Sequence, residues 1–158
     1  MKIRKDTKVW LCPTDTIYGL SARVGDIEAI ERVRQIKGGR EGMHFITLIS
    51  DIEQLSLLDV AITNEQREFL TKIWPGPVSI IFDTHSGGTI AVRLPDYIEL
   101  RELIRELGPI ISTSANRHSE PPVQSAQEAK DIFGNEIDEY IDAGILKGGA
   151  STLVKILR

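Results

Sequence analysis

The chain has 158 residues, enough for one domain over 1–158 that buries about 70% of the surface its unfolded form would expose. Hydrophobic residues at 41% and charged residues at 27% exclude a disordered or collagen-like chain. A formal net charge of −4 excludes a protein whose whole surface is a basic footprint for nucleic acid, so any anion site must be local.

No run approaches the roughly 18 apolar residues of a membrane span, and Val9–Cys12 is too short for the apolar core of a signal peptide. The expectation is a cytoplasmic protein with no membrane partner. A lone Cys12 agrees with a reducing compartment. His44, His85 and His118 have no metal-ligand spacing, so no metal site is expected from the protein's own side chains.

In chain order, Val9–Cys12 reads as a buried strand that stops at Pro13. Asp26 is placed to cap a helix with Ile27, Ile30, Val33 and Ile36 on one face, running out near Lys37-Gly-Gly39. Phe45–Ile49 is a strand, and Thr63-Asn-Glu-Gln66 is a capping box that opens a helix burying Phe69, Leu70, Ile73 and Trp74. Val78–Phe82 and Thr89–Arg93 flank a turn too short for a crossover, which predicts an antiparallel pair. Leu100, Leu103, Ile104 and Leu107 define an amphipathic helix ending at Gly108-Pro109, followed by the strand Ile110–Thr113. Ser125-Ala-Gln-Glu128 caps a helix to about Phe133, and Thr152–Leu157 closes the chain as a β-rich run. The alternation predicts an α/β fold with a twisted, mostly parallel or mixed sheet and flanking helices.

Four polar clusters fall at predicted strand or helix ends: Thr14-Asp-Thr16 with Tyr18, Lys37 with Arg40, Ser112–Asn116, and Ser151-Thr152. Ligands of open α/β sheets bind beyond strand ends, so one shared crevice is expected. Cations for phosphoryl oxygens, with hydroxyls and amides adding direction, are the parts a triphosphate needs. Gly38-Gly-Arg-Glu-Gly42 does not satisfy the P-loop pattern, and no dinucleotide fingerprint is present. Plainer readings stand beside these for three of the clusters and for Arg93. Lys37 and Arg40 can complement a helix dipole, Asp15 and Ser112–Asn116 can satisfy their own turns, and Arg93 can be a surface strand end.

Pro13-Thr-Asp-Thr-Ile-Tyr-Gly-Leu20, Trp74-Pro-Gly-Pro-Val-Ser79, Val92-Arg-Leu-Pro95, Ser112-Thr-Ser-Ala-Asn116 and Ser151-Thr152 together resemble the ordered motif series of the YrdC-like threonylcarbamoyl-adenylate synthases. The resemblance implies a twisted α/β fold with a large concave cavity. It implies synthesis of threonylcarbamoyl-AMP from L-threonine, bicarbonate and ATP, usually with magnesium (Mg2+), for the threonylcarbamoyladenosine modification of tRNA. Transfer RNA or tRNA-modifying proteins are then expected partners. By the same resemblance, Lys37 and Arg40 hold ATP phosphates, with Ser114, Asn116 and Ser151 lining that pocket. Thr16, Tyr18 and Thr113 frame the threonine site, and Arg93 pairs with the substrate carboxylate; Lys37, Arg40 and Arg93 are the candidate catalytic cations. Replacing Lys37 is expected to weaken ATP binding more than folding, on the premise that it is solvated.

The chain departs from the family pattern in reading Lys37-Gly-Gly-Arg40, with Met43 where a lysine is common. Two alternatives follow: a related enzyme acting on another carbamoyl compound, as in the similar domain of hydrogenase-maturation carbamoyltransferases, or a non-catalytic module that binds RNA or a nucleotide.

Overall fold

The computed structural model describes residues 1–39, 43 and 45–156. Among the described residues eight strands form one sheet: β1 (Trp10–Cys12), β2 (Gly19–Arg23), β3 (Ile46–Leu48), β4 (Val78–Asp83), β5 (Thr89–Arg93), β6 (Ile110–Ser114), β7 (Glu139–Tyr140) and β8 (Thr152–Lys155). Their spatial order is β7-β1-β2-β6-β3-β5-β4-β8. Of the two sheet types the sequence allowed, the mixed one is present. The pairs β1–β7, β3–β5 and β4–β8 are parallel and the other neighbours antiparallel. The expected β4–β5 antiparallel pair is among them, with Ile80 opposite Val92.

Four α-helices cover the sheet: α1 (Ile27–Ile36), α2 (Asn64–Ile73), α3 (Ile98–Leu107) and α4 (Ala126–Phe133). Their starts follow the sequence signals. Asp26 accepts a bond from the Ala29 N–H, and Thr63 and Gln66 form the reciprocal capping box. At α4, Ser125 caps the Glu128 N–H, while the Glu128 carboxylate reaches one residue further back, to the Gln124 N–H.

Strand alternation divides the sheet into two unlike faces. Leu11, Leu20, Ala22 and Ile111 pack against α1 and α4, while Ile80, Phe82 and Val92 pack beneath α2 on the same face. The opposite face carries Trp10, Cys12, Leu48 and Ile110, covered by Leu100, Leu103 and Ile104 of α3. That one helix covers only part of its face, and the remainder bears Ile46, Ser112 and Ser114. The uncovered part is where a ligand can reach the sheet.

Two burial expectations fail for a geometric reason. Successive steps of three residues drift by about 60° around a helix, so Ile27 lies about 180° from Ile36. Ile27 is accordingly 82% exposed, and the buried stripe of α1 is Ala29, Val33 and Ile36. Phe69 is likewise exposed, about 100° from the buried Leu70. In chemical denaturation, Val33→Ala is expected to cost about 2 kcal/mol. Ile27→Ala should stay within about 0.5 kcal/mol, and equal losses would contradict this helix phase.

Candidate active site

The cavity on the open part of the sheet is formed by three kinds of element. The turn between β1 and β2 gives Thr14, Thr16 and Ile17. The sheet itself gives Ile46 and Leu48 of β3 with Ser112, Thr113 and Ser114 of β6. The segment before β8 gives Ala150 and Ser151. Its volume is about 230 Å³. The lining is hydroxyl groups on an aliphatic floor, and none of these lining residues is charged. Alternation along β6 puts Ser112 and Ser114 on the cavity face and turns the Thr113 side chain from it.

The turn is built around one hydroxyl. Thr14 Oγ1 accepts from the N–H groups of Thr16 and Ile17, both at 3.1 Å, and donates to the Ile17 carbonyl at 2.7 Å. This pins the loop and sets the Thr16 hydroxyl 3.0 Å from that of Thr14. Such a turn satisfies itself, as the plainer sequence reading held, and still presents Thr16 to the cavity.

Arg93, at the end of β5, is not a surface strand end: its side chain is 5% exposed and its NH1 lies 2.5 Å from Asp15 Oδ1. The other Asp15 oxygen accepts from the Asp96 N–H at 3.0 Å, so the pair ties the turn to β5 and the loop after it. Arg93 NH2 reaches Thr16 Oγ1 at 3.4 Å, and its Nε is buried with no partner among the described residues. The expected pairing of Arg93 with a substrate carboxylate therefore meets a resident competitor, since Asp15 already takes its NH1.

Lys37 caps the C-terminus of α1, where Gly38 and Gly39 turn the backbone at φ 105° and 67°, values that side chains rarely tolerate. Instead of facing solvent, Lys37 is 7% exposed. Its ammonium donates to the Ser114 carbonyl at 2.8 Å, to Ser114 Oγ at 3.3 Å and to Asn116 Oδ1. Burial lowers its pKa from the usual 10.5 to about 8. The premise that Lys37 is solvated is thus corrected, and its loss would leave buried acceptors unpaired, at about 1–3 kcal/mol. Asn116 is itself held by its amide, which donates to the Glu120 carbonyl at 2.6 Å.

Ser151 lines the cavity and shares a 2.8 Å hydrogen bond with Ser79, a fully buried residue of β4. Tyr18 is placed differently from expectation. It is buried in the core between the sheet, α1 and α4, and its hydroxyl is bonded to the backbone at Ala143 and Gly144 instead of lining the cavity. Arg40 lies outside the described residues. Cys12 is a buried thiol whose pKa is pushed up to about 12 by desolvation, which suits an inert core position. Asp15, Ser79 and Ser112 are the additional site residues. They stood inside the quoted motifs, but nothing in the sequence brought Asp15 to Arg93.

The fold is an α/β sheet with a hydroxyl-lined cavity on one face beside a buried lysine. The model of the Sua5, YciO and YrdC proteins, described as telomere recombination, matches residues 2–158, and the chain belongs to that family. It is 34% identical over 143 residues to the threonylcarbamoyl-AMP synthase of Nitrosococcus oceani, covering 84% of this chain and 77% of that protein. Against relatives from Mycobacterium tuberculosis the identity is 31%, and the chain spans 65% of their length. Pyrococcus abyssi Sua5, solved in complex with L-threonine, superposes with a TM-score of 0.85 at 30% identity, over 94% of this chain and 47% of that one. E. coli YciO superposes at 0.83 and 25% identity, over 98% of this chain and 80% of that one. Among the described residues, no helix is long and apolar enough to cross a membrane.

Removing Arg93 strands the Asp15 carboxylate, whose side chain is 11% exposed. Arg93→Ala is expected to destabilise the protein by about 3 kcal/mol. The double variant Asp15→Asn, Arg93→Met should lose less, as read in urea titrations; a neutral Arg93→Ala would show that the pair carries no strain of burial.

Proposed function

We propose that the chain synthesises threonylcarbamoyl-AMP from L-threonine, bicarbonate and ATP, releasing pyrophosphate, to supply the threonylcarbamoyl modification of tRNA in the cytoplasm. The observation that carries this reading is the gathering of predicted polar groups around one cavity: Thr16, Ser114 and Ser151 line it with their hydroxyls, Thr113 only from the strand backbone, and Lys37 and Asn116 stand at its Ser114 end. Family membership and the threonine held by the P. abyssi relative support it.

The cavity volume, below the range of drug-sized sites, suits an amino acid among the hydroxyls. The triphosphate then lies outward toward Lys37. The neutral threonine amine attacks bicarbonate, water leaves, and a carbamate remains. A carbamate oxygen attacks the α-phosphorus of ATP as the bond to the β-phosphate oxygen breaks and pyrophosphate departs. Charge gathers on phosphoryl oxygens throughout, so placement and electrostatics carry the reaction more than any single acid or base.

Lys37 serves by exchanging one of its three protein acceptors for a phosphoryl oxygen, while Ser114 and Asn116 keep its remaining donors aimed. Arg93 contributes through Asp15 and Thr16, holding the turn that bounds the threonine end. The described groups around the cavity are hydroxyls, an amide and a lysine; they do not form a carboxylate cage, so magnesium fits as an ion carried by the triphosphate, where it supplies charge neutralisation.

Purified protein given ATP should release pyrophosphate only when both threonine and bicarbonate are present. Threonine-independent release, or release driven by carbamoyl phosphate in place of threonine, would contradict the reading. A phosphoryl oxygen pairs with Lys37 only in its ammonium form. ATP affinity should therefore fall as pH rises through about 8. In Lys37→Ala, calorimetry should find affinity lower by about 10- to 100-fold and that fall above pH 8 abolished; a persisting fall would assign it to another group.

A further inference from the structure

Residues 141–151 join β7 to β8, which are the two opposite edges of the sheet. The connection is a strap without regular secondary structure, running past the turn that bounds the cavity.

Its contacts come in order along its length. The Ile141 N–H donates to the Leu11 carbonyl at 3.1 Å, and the Leu146 N–H to the Gln124 carbonyl at 2.8 Å. Between them the Tyr18 hydroxyl accepts from the Ala143 N–H at 2.9 Å and donates to the Gly144 carbonyl at 2.7 Å. Gly148 then lies directly on the backbone of Thr16, where an added Cβ would come within 2.2 Å of the Thr16 carbonyl oxygen. Ala150 and Ser151 follow as cavity wall, and Ser151 is bonded to Ser79.

Tyr18 is fully buried, so the core fixes where its hydroxyl stands. It belongs to the same turn as Thr16, two residues away. One turn thus sets both the Thr16 hydroxyl and, through Tyr18 and the Gly148 contact, the strap that returns Ala150 and Ser151 to the cavity. A segment held at Ala143, Gly144, Leu146 and Gly148 delivers its end in one place.

We infer that Tyr18 is a positioning residue: its hydroxyl clamps the 141–151 strap at Ala143 and Gly144, and the clamped strap sets Ala150 and Ser151 as the wall of the small-molecule cavity. The effect on threonine rests on the function proposed above; the clamp itself does not.

Tyr18→Phe removes only the hydroxyl, and full-length protein serves for every measurement. Amide hydrogen exchange over 143–151 should quicken by at least tenfold in Tyr18→Phe, with α1 and α3 unchanged. The KM for threonine should rise by at least tenfold, with kcat altered less than threefold and ATP affinity intact. Gly148→Ala, which lifts the strap from Thr16 without touching Tyr18, should raise the threonine KM in the same way. Unchanged strap exchange in Tyr18→Phe overturns the clamp. Quickened exchange with an unchanged threonine KM overturns the positioning role. If the unaltered protein releases no pyrophosphate, the proposed function fails, and the exchange comparison still decides the clamp: faster exchange supports it and equal exchange overturns it.

Discussion

The ion pair between Asp15 and the buried Arg93 is the constraint on which the cavity depends. Two residues separated by 78 positions meet at 2.5 Å, joining the turn after β1 to the end of β5 across the middle of the sheet. A pair so placed costs desolvation on both sides and gives a fixed geometry in return. Asp15 takes a second bond from Asp96, and Arg93 reaches both Thr16 and the Gly76 carbonyl. The Thr14–Ile17 wall therefore stands where the β-sheet puts it.

That arrangement has an electrostatic result. Arg93 spends its charge on Asp15, and the described cavity lining is hydroxyl and aliphatic. Positive charge is placed to one side, at the Ser114 end, on Lys37, where burial already lowers its proton affinity. A ligand with a small zwitterionic part and a polyanionic part would find these two environments next to each other. Hydroxyls can serve the first by directional hydrogen bonds, and the ammonium serves the second by charge.

Much of the fold was legible because local rules governed it. Caps at Asp26, Thr63 and Ser125 started helices where they stood, and the leucine and isoleucine spacing of α3 gave its buried side correctly. β2 escaped notice since Gly-Leu-Ser-Ala-Arg has no β-branched or aromatic residue; its strand character comes from pairing with β1 and β6 on either side. β7, only two residues long, and the 3₁₀ turn at Ile52–Leu58 lack any sustained period. At the site, Lys37, Ser114 and Asn116 were legible as polar types at element ends. Their mutual contact was not, nor was the burial that makes Lys37 a structural group. Tyr18 shows the same limit from the other side: its motif was visible, but its function in holding a distant segment depends on where residues 141–151 cross, which only the sheet order reveals.

The proposed function requires one cavity to hold an amino acid beside a triphosphate. A crystal structure with L-threonine and a non-hydrolysable ATP analogue tests it most directly. Threonine is expected between Thr16 and Ser151, with phosphoryl oxygens within hydrogen-bond reach of the Lys37 ammonium. Nucleotide bound away from Lys37, or threonine outside the wall made by Ala150 and Ser151, would contradict it.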